Sequence, residues 1–218
     1  MHQTTLTLPQ IYLSARDGHK LRGYFADLFR EESDLFHNHT AEGKSIQRYP
    51  LIQYKVLRGV PVLTGLNDGA DMLVKKFLNI QEIDIDGLVF PIMQKNMKSE
   101  DFFLGVKHSL RTYQFLNPWM PLNQVNHKKY LSYDAAQKRK QLESILKGNI
   151  LGFMKGVGYF EEKEILVQVR VKEKQIQFKN QPMLGFMGEF TTNVQMPNYI
   201  GLGKSVSRGF GAIEFEGF

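Results

Sequence analysis

The sequence predicts an α+β protein made of two tandem ferredoxin-like domains, each with the element order βαββαβ. Strand-like and helix-like segments alternate in that order over the first half, and the second half follows a similar order. The length of 218 residues suffices for two domains of about 100 residues, each with its own core. We therefore expect one domain over residues 1–100 and another over residues 101–218.

The first half contains five segments with a regular apolar pattern. Three of them alternate or are rich in β-branched residues, which predicts strands over residues 4–13, 51–66 and 83–93. The second of these is broken at Gly59, so that it is either one strand or a hairpin turning there. Two helices follow from apolar spacing: one over residues 21–29 and one capped by Asn67 or Asp68. The resulting order is that of ferredoxin-like and RRM-like domains.

The second half contains four further strand-like segments: residues 103–116, 164–178, 183–194 and 212–215. Residues 135–155 have helical apolar spacing, and a polar linker precedes them. We expect the strand-like segment 164–178 to turn near Glu173 and Lys174. This half is predicted to have the same plan as the first.

The charge is unevenly distributed along the chain. Residues 1–100 contain 12 Lys+Arg and 12 Asp+Glu, which leaves 28 − 12 = 16 and 22 − 12 = 10 for residues 101–218. The whole net charge of +6 therefore lies in the second half. A polyanionic partner accounts for this surplus, and a basic protein without such a partner accounts for it equally well.

Several classes of protein are excluded by composition. The sequence contains no cysteine, which excludes disulfides, cysteine-based metal sites and thiol nucleophiles. The N-terminal residues lack the pattern of a secretory signal, and no apolar stretch reaches the ~18 residues of a membrane span. We expect a cytoplasmic protein without a membrane partner.

A glycine-rich segment near the C-terminus has the composition of a phosphate-binding loop. Two G-x-G pairs flank a basic centre, and the candidate RNA-binding residues are Gly201, Gly203, Lys204, Ser205, Ser207, Arg208, Gly209 and Gly211. Glycine permits positive φ values and lets another backbone approach closely. The centre supplies an ammonium group, a guanidinium group, hydroxyls and amides expected to be free, which is the chemistry needed to hold phosphates. The spacing is not that of a Walker loop. The alternative is an ordinary glycine-rich hairpin with exposed charges.

A pair of histidines follows the first predicted helix. His37 and His39 can act as base and acid near neutral pH, and Arg30, Lys44 and Tyr49 lie nearby in sequence. Attack of an RNA 2′-OH on its own phosphate needs a base, an acid and a cation, which this set supplies without a metal ion. The alternatives are solvated loop histidines, or a metal site for which the sequence places no third ligand.

A basic and aromatic segment precedes and begins the helix of the second half. Lys138 and Arg139 follow Tyr130 and Tyr133 closely in sequence. Lys and Arg contact phosphates, and Tyr stacks on bases. We expect Lys138 and Arg139 to bind RNA, and the alternative is a solvated helix start.

The segment GLGKSVSRGFGAIEF resembles the C-terminal glycine-rich loop of the RAMP superfamily of CRISPR-associated proteins. More narrowly, the chain resembles the CRISPR repeat-processing endoribonucleases of that superfamily, which have two tandem ferredoxin-like domains. The resemblance implies a catalytic histidine after the first helix, where His37 and His39 lie, accompanied by Arg30, Lys44 or Tyr49. It further implies metal-independent cleavage of precursor CRISPR RNA within each repeat, with no cofactor. The products would carry a 5′-hydroxyl and a 2′,3′-cyclic phosphate.

Partners and alternative functions follow from the same resemblance. Repeat RNA is the expected partner, and a homodimer is expected because dimers are common in the family. One alternative is a non-catalytic RNA-binding subunit of a CRISPR effector complex, which would not need the histidine pair. Another is a ferredoxin-like binding module unrelated to RNA, which would show no salt-sensitive RNA binding.

Overall fold

The computed structural model describes residues 1–29, 48–178 and 181–217. Its strands are β1 (His2–Thr7), β2 (Ile52–Leu57), β3 (Val60–Leu66), β4 (Glu82–Ile85), β5 (Leu88–Pro91), β6 (Asn96–Asp101), β7 (Gly105–Phe115), β8 (Val167–Phe178), β9 (Gln181–Gln195) and β10 (Ile213–Phe215). Its α-helices are α1 (Gly18–Leu28), α2 (Asp68–Phe77), α3 (Gln124–Ser132) and α4 (Ala135–Gly156).

Contacts divide the chain into two compact units. The first comprises Met1–Phe102 together with Val206–Gly209, and the second comprises Phe103–Ser205 together with Phe210–Phe218. None of the helices in the described ranges is long and apolar enough to cross a membrane.

The first unit is built on an antiparallel sheet with the strand order β2-β3-β1-β6. Its core contains Phe25 of α1, Phe77 of α2 and Tyr54 of β2. The ring centroid of Phe25 lies 4.5 Å from that of Phe77 and 5.7 Å from that of Tyr54. Because the apolar stripes of both helices reach this core, they hold the sheet through burial of large aromatic surfaces.

The second unit has the same antiparallel strand order, β8-β9-β7-β10, in which β8 corresponds to β2 and β10 to β6. Helix α4 takes the place of the first helix of the βαββαβ plan. Between β9 and β10, residues 196–212 are all described and contain no α-helix, only a short 3₁₀ turn at Val206–Arg208. The prediction of two tandem ferredoxin-like domains is confirmed, with this loop standing where the second helix would be.

Most predicted elements of the first unit are confirmed, although β1 ends at Thr7 and residues 8–13 of the predicted strand are not in it. One prediction is wrong. The hairpin turns at Arg58 and Gly59, which have φ values of 51° and 86°. Residues 83–93 are not one strand, because positive φ values at Asp86 and Gly87 turn them into the β4–β5 hairpin. The fourth strand of the sheet is instead β6, whose polar sequence is almost entirely exposed and gave no apolar alternation.

Two predictions about the second unit are wrong. The polar linker contains α3, which Asn123 caps by accepting a hydrogen bond from the Asn126 backbone N–H at 2.7 Å. No turn occurs at Glu173 and Lys174, since β8 pairs with β9 without interruption through both residues. The predicted long helix is confirmed as α4 and begins with a capping box of Asp134 and Gln137.

Candidate functional site

The glycine-rich loop, residues 201–211, is closed at its base by backbone pairing. Gly201 forms an antiparallel bridge with Ala212, and the Leu202 N–H donates to the Gly211 carbonyl at 2.9 Å. Positive φ values occur at Gly203 (91°), Ser205 (56°), Gly209 (94°) and Gly211 (65°). A backbone with so many left-handed residues cannot form a helix, which explains why the loop interrupts the ferredoxin-like plan here.

Two glycines of the loop are required by packing within the protein. A Cβ atom at Gly203 would lie 2.8 Å from Nε1 of Trp119 and 3.0 Å from the Met120 carbonyl oxygen. A Cβ atom at Gly211 would overlap the Leu202 carbonyl group. These glycines therefore allow close contact between parts of the chain, as expected from the sequence.

Backbone amides of the loop are used internally. The N–H of Lys204 donates to Met120 O at 3.1 Å, that of Gly211 to Pro118 O at 3.0 Å, and that of Gly209 to Val206 O at 3.3 Å. The expectation that these amides are free for a phosphate is wrong. The side chains of the loop remain candidates for binding: Lys204 is exposed, and Ser205, Ser207 and Arg208 are half-buried.

Arg208 lies beside a second arginine within the first unit. The carbonyl oxygen of Arg208 would be 2.9 Å from a Cβ atom at Gly18 of α1. One turn further along α1, the pKa of Arg22 is lowered by burial and, secondly, by the positive charge of Arg208. The hydroxyl of Tyr54, near Arg22, is fully buried and has no hydrogen-bond partner among the described residues. The two positive charges thus interact, and an anion bound near them would relieve their repulsion.

A second basic feature lies wholly within the second unit. We call it the basic groove, a cavity of about 590 Å³ lined by Tyr130, Ala135, Lys138, Arg139, Leu142, Gln168, Val169, Arg170, Val171 and Lys172. It runs between the start of α4 and the edge strand β8. Its lining includes four cations and no carboxylate. This charge suits the sugar-phosphate backbone of a nucleic acid.

The predicted residues Lys138 and Arg139 both line the basic groove. Lys138 Nζ lies 4.7 Å from the ring centroid of Tyr130 and 3.8 Å from Glu173 Oε1. The Tyr130 hydroxyl donates to the same Glu173 oxygen at 2.8 Å. Tyr130 and Glu173 thus hold the Lys138 ammonium at the groove through a cation–π contact and an ion pair.

Four of the five predicted catalytic residues, Arg30, His37, His39 and Lys44, lie outside the described residues. Tyr49 is described and half-buried, and its hydroxyl oxygen accepts a hydrogen bond from Gln53 Nε2 at 2.9 Å. Gln53 Nε2 also donates to the Pro50 carbonyl oxygen at 3.1 Å, and Lys55 Nζ donates to Gln53 Oε1 at 3.0 Å. Among residues 1–29, 48–178 and 181–217, no group of three or more His, Cys, Asp or Glu could hold a metal ion.

Three basic residues that line the basic groove or lie beside Arg208 were not predicted from the sequence. Arg170 and Lys172 lie two positions apart on a predicted strand and therefore face the same side, so the alternation already contained a signal for them. Arg22 had no such signal, because only the fold brings it to Arg208.

Comparison with known proteins identifies relatives of the whole chain. The family model described as the Cas6b N-terminal domain matches residues 1–102, and the model described as the Cas6b C-terminal domain matches residues 105–215. A crystal structure of Cas6b is 36% identical, with a TM-score of 0.94 over 98% of both chains. A crystal structure of the CRISPR RNA processing endoribonuclease Cas6b is 33% identical, with a TM-score of 0.80 over 99% of this chain and 100% of that one.

Two other comparisons extend these matches. An uncharacterized protein of Methanocaldococcus jannaschii is 37% identical over 139 residues, which are 62% of this chain and 93% of that protein. The type IV CRISPR RNA endonuclease Csf5 shares 12% identity and a TM-score of 0.62 over 99% of both chains, which is a likeness of fold.

Proposed function

This chain belongs to the Cas6b family, and on that premise we propose that it is an endoribonuclease that processes CRISPR RNA by cutting within the repeats. The proposal includes a metal-independent reaction. Repeat RNA is its substrate and partner.

The observation that carries this proposal is the pair of Arg22 and Arg208. The positive charge of Arg208 disfavours the charged form of Arg22, and a phosphate bound at this pair would form charge-assisted hydrogen bonds of about 1.5–3 kcal/mol each. Arg208 comes from the glycine-rich loop, and Arg22 comes from the helix that precedes His37 and His39 in the chain. Arg22, which we propose holds a phosphate, therefore precedes the proposed catalytic histidines by one segment of the chain.

The basic groove supports the same reading from the second unit. Lys138, Arg139, Arg170 and Lys172 line it, and an RNA strand carries one phosphate per nucleotide to meet such cations. Cations of this kind supply affinity independent of base sequence. Tyr130 adds an aromatic ring to the lining, although its hydroxyl is already engaged by Glu173.

We propose that cleavage proceeds by attack of a ribose 2′-OH on the adjacent phosphorus. One of His37 and His39 removes the 2′-OH proton, the new P–O bond forms, and the bond from phosphorus to the 5′-oxygen breaks. The other histidine, or Tyr49, delivers a proton to that leaving oxygen. Arg30 or Lys44 stabilises the extra negative charge of the transition state. The products are a 2′,3′-cyclic phosphate and a 5′-hydroxyl.

The test is cleavage of the CRISPR repeat RNA encoded near its gene, in the presence of EDTA. We expect wild type to cleave, and the His37→Ala/His39→Ala double variant to be slower by about 10²–10⁴-fold or more. His108→Ala, an exposed histidine of the second unit, is the matched control and should cleave at the wild-type rate. Full activity of the double variant would remove the two histidines from the mechanism.

A modified substrate tests the nucleophile independently of the protein. RNA with a single 2′-deoxy nucleotide immediately before the cut should bind normally and stay intact. Cleavage of that RNA, or loss of wild-type activity in EDTA, would contradict the metal-free 2′-OH mechanism.

Association with other chains remains a prediction. We propose a homodimer and, after cleavage, participation in a CRISPR effector complex. Light scattering of the purified protein with and without product RNA measures the first directly, and a monomeric mass under both conditions would contradict it.

A further inference from the structure

Strand β6 is an open edge of the sheet in the first unit. Among the described elements it pairs and packs extensively only with β1, and five of its six residues are exposed. The opposite edge, β2, is fully buried, and the turn at Val206–Arg208 contacts it. An unpaired edge strand is a template on which another chain can form hydrogen bonds. Within the part of the chain that the structure describes, β6 is therefore the edge of this sheet that a further strand can join.

The pairing at the end of β6 fixes which of its backbone groups point outward. The Phe102 N–H donates to the Met1 carbonyl oxygen at 2.8 Å, and the Met1 nitrogen donates to the Phe102 carbonyl oxygen at 3.0 Å. In an antiparallel ladder the hydrogen-bonding side alternates from one residue to the next, and the register with β1 is continuous. Counting back from Phe102, the outward backbone groups belong to Met97, Ser99 and Asp101.

The exposed face of β6 carries one positive and one negative side chain. Lys98 and Glu100 lie two positions apart and therefore on the same face, and Lys98 Nζ is 2.8 Å from Glu100 Oε2. Met97 lies on the other face and packs against the core. The side chains of Lys98 and Glu100 are 72% and 44% exposed, so water screens the pair within one copy and each group has room for a second partner.

These charges distinguish between the registers in which two copies of β6 can pair antiparallel. An outward-pointing residue must pair with another outward-pointing residue, so the two-fold axis lies at residue 98, 99 or 100 in the three central registers. An axis at Lys98 or at Glu100 places that residue opposite its own copy, and like charges directly opposite each other are destabilising. An axis at Ser99 places Lys98 opposite Glu100 of the second copy, twice by symmetry. The strand is therefore complementary to itself in the register centred on Ser99.

We propose that two copies of this chain associate through β6, antiparallel and centred on Ser99, so that their two four-stranded sheets become continuous. The outward backbone groups of Met97, Ser99 and Asp101 form the hydrogen bonds, and the two Lys98–Glu100 pairs fix the register. This inference rests on the homodimer proposed above, for which it names the interface, and it is independent of the cleavage chemistry. Because β2 is buried, the assembly closes at two copies. Charged side chains on an edge also discourage pairing with unrelated strands.

The first experiment measures the dimer by analytical ultracentrifugation at increasing protein concentration, without RNA. One pair of short strands is smaller than a standard interface, so we expect a dissociation constant in the micromolar range for wild type. Lys98→Glu places carboxylates opposite each other and Glu100→Lys does so with ammonium groups, and each variant alone should dimerise at least about tenfold more weakly.

The two variants are then mixed in equal amounts. They should form a heterodimer about as stable as the wild-type dimer, because every cross-strand pair is then opposite in charge. Absence of that heterodimer, under conditions where wild type dimerises, would overturn the proposal.

The matched control changes the same charge at another exposed position of the first unit. Lys75→Glu, on α2, alters the net charge as Lys98→Glu does and should leave the dissociation constant unchanged. An equal loss of affinity in both variants would mean that net charge, and not β6, governs association, and the proposal would fail.

A cysteine at the two-fold axis tests the register directly. The sequence contains no cysteine, so Ser99→Cys introduces a single thiol. In a hydrogen-bonded antiparallel pair the two Cα atoms are about 5.5 Å apart, which suits a disulfide. Mild oxidation should convert Ser99→Cys to a covalent dimer and leave the control Lys75→Cys monomeric. Equal cross-linking of both variants would contradict the register.

The outcomes separate this inference from the proposals it accompanies. If wild type stays monomeric at every concentration, the homodimer and this interface fail together. If wild type dimerises and the charge variants do so equally well, only the interface fails. If wild type dimerises through β6 and does not cleave repeat RNA, the proposed endoribonuclease fails and the interface stands.

Discussion

The two units place their edge strands β2 and β8 at the same position of the same strand order, but the two strands have opposite surroundings. All six residues of β2 are buried, including Gln53 and Lys55. Strand β8 exposes its basic residues Arg170 and Lys172, which line the basic groove. Identical topology therefore does not fix the environment of a lysine. The groups packed against the strand decide whether a lysine on it is buried, with a lowered pKa, or exposed as a cation.

The units differ a second time at the position of the second helix. In the first unit, α2 packs Leu73 and Phe77 into the core. In the second unit, the glycine-rich loop occupies the corresponding position between the last two strands of the sheet. A helix there would use its backbone groups internally and bury one face, whereas the loop presents Lys204, Ser207 and Arg208. The position of the second helix is therefore filled by packing surface in the first unit and by polar and charged side chains of the loop in the second, although Val206–Gly209 of that loop belong to the first unit.

The largest effect is expected from placing a side chain in the glycine-rich loop. Gly211→Ala combines a φ of 65° with overlap against Leu202 and should lower the free energy of unfolding by about 2–4 kcal/mol. Gly148→Ala is the control, because nothing lies within 4 Å of its Cβ position on α4, and it should stabilise by up to ~1 kcal/mol. Urea denaturation measures both. Equal effects would mean that the loop is not a fixed replacement for a helix.

A smaller effect is expected on RNA binding, and it separates the two basic features. Arg22→Ala with Arg208→Ala should weaken binding by about 10–100-fold, since half-buried guanidinium groups form strong hydrogen bonds to phosphate. Lys138→Ala with Arg139→Ala should cost only severalfold, because Arg139 is exposed and Lys138 is already paired with Glu173. Each lost phosphate contact should lower the slope of log affinity against log salt by ~0.7.

The matched control removes two positive charges elsewhere in the first unit. Lys75→Ala with Lys76→Ala, on α2, changes the net charge equally and should leave the salt slope unchanged. A slope that falls equally in all three double variants would mean that net charge, and not either basic feature, governs binding.

The smallest effect concerns pH and the buried lysine of β2. Burial lowers the pKa of Lys55 in the folded protein well below the lysine pKa of about 10.4 in the unfolded chain, so between these two pKa values the unfolded chain keeps a proton that the folded protein has lost. Because the unfolded state binds the extra proton, the free energy of unfolding rises with pH in this range, by up to about 1.4 kcal/mol per pH unit.

Lys55→Met lacks this contribution. The stability of wild type relative to Lys55→Met should therefore rise between pH 7 and pH 8, as measured by urea denaturation. Parallel curves for the two proteins would mean that Lys55 keeps its proton on folding and that the contrast between β2 and β8 is one of exposure alone.

Much of the fold was predictable because periodicity reports the solvent-facing and core-facing sides of an element directly. Helices α1, α2 and α4 have apolar stripes, and the hairpin at Gly59 has turn chemistry. Strand β6 was not predicted because five of its six residues are polar and most are exposed. The β4–β5 hairpin was not predicted because the apolar residues on both sides of Asp86 and Gly87 have the pattern of a single strand.

The candidate site divides in the same way. Composition and order alone indicated the loop at residues 201–211 and the pair Lys138 and Arg139, because clustered glycine and cationic side chains are visible in a linear sequence. The histidine pair stays a prediction, since it lies outside the described residues.

The sequence by itself determined the two-domain α+β plan, the charged second half and the chemical inventory of the loop, all of which depend on residues close together in the chain. Only the tertiary structure decided which groups from distant segments meet. It brought Arg22 to Arg208, occupied the amides of Lys204, Gly209 and Gly211, and buried Lys55 so that its pKa falls. The physical reason is that desolvation and charge–charge interaction depend on distances in space, and separation along the chain does not record them.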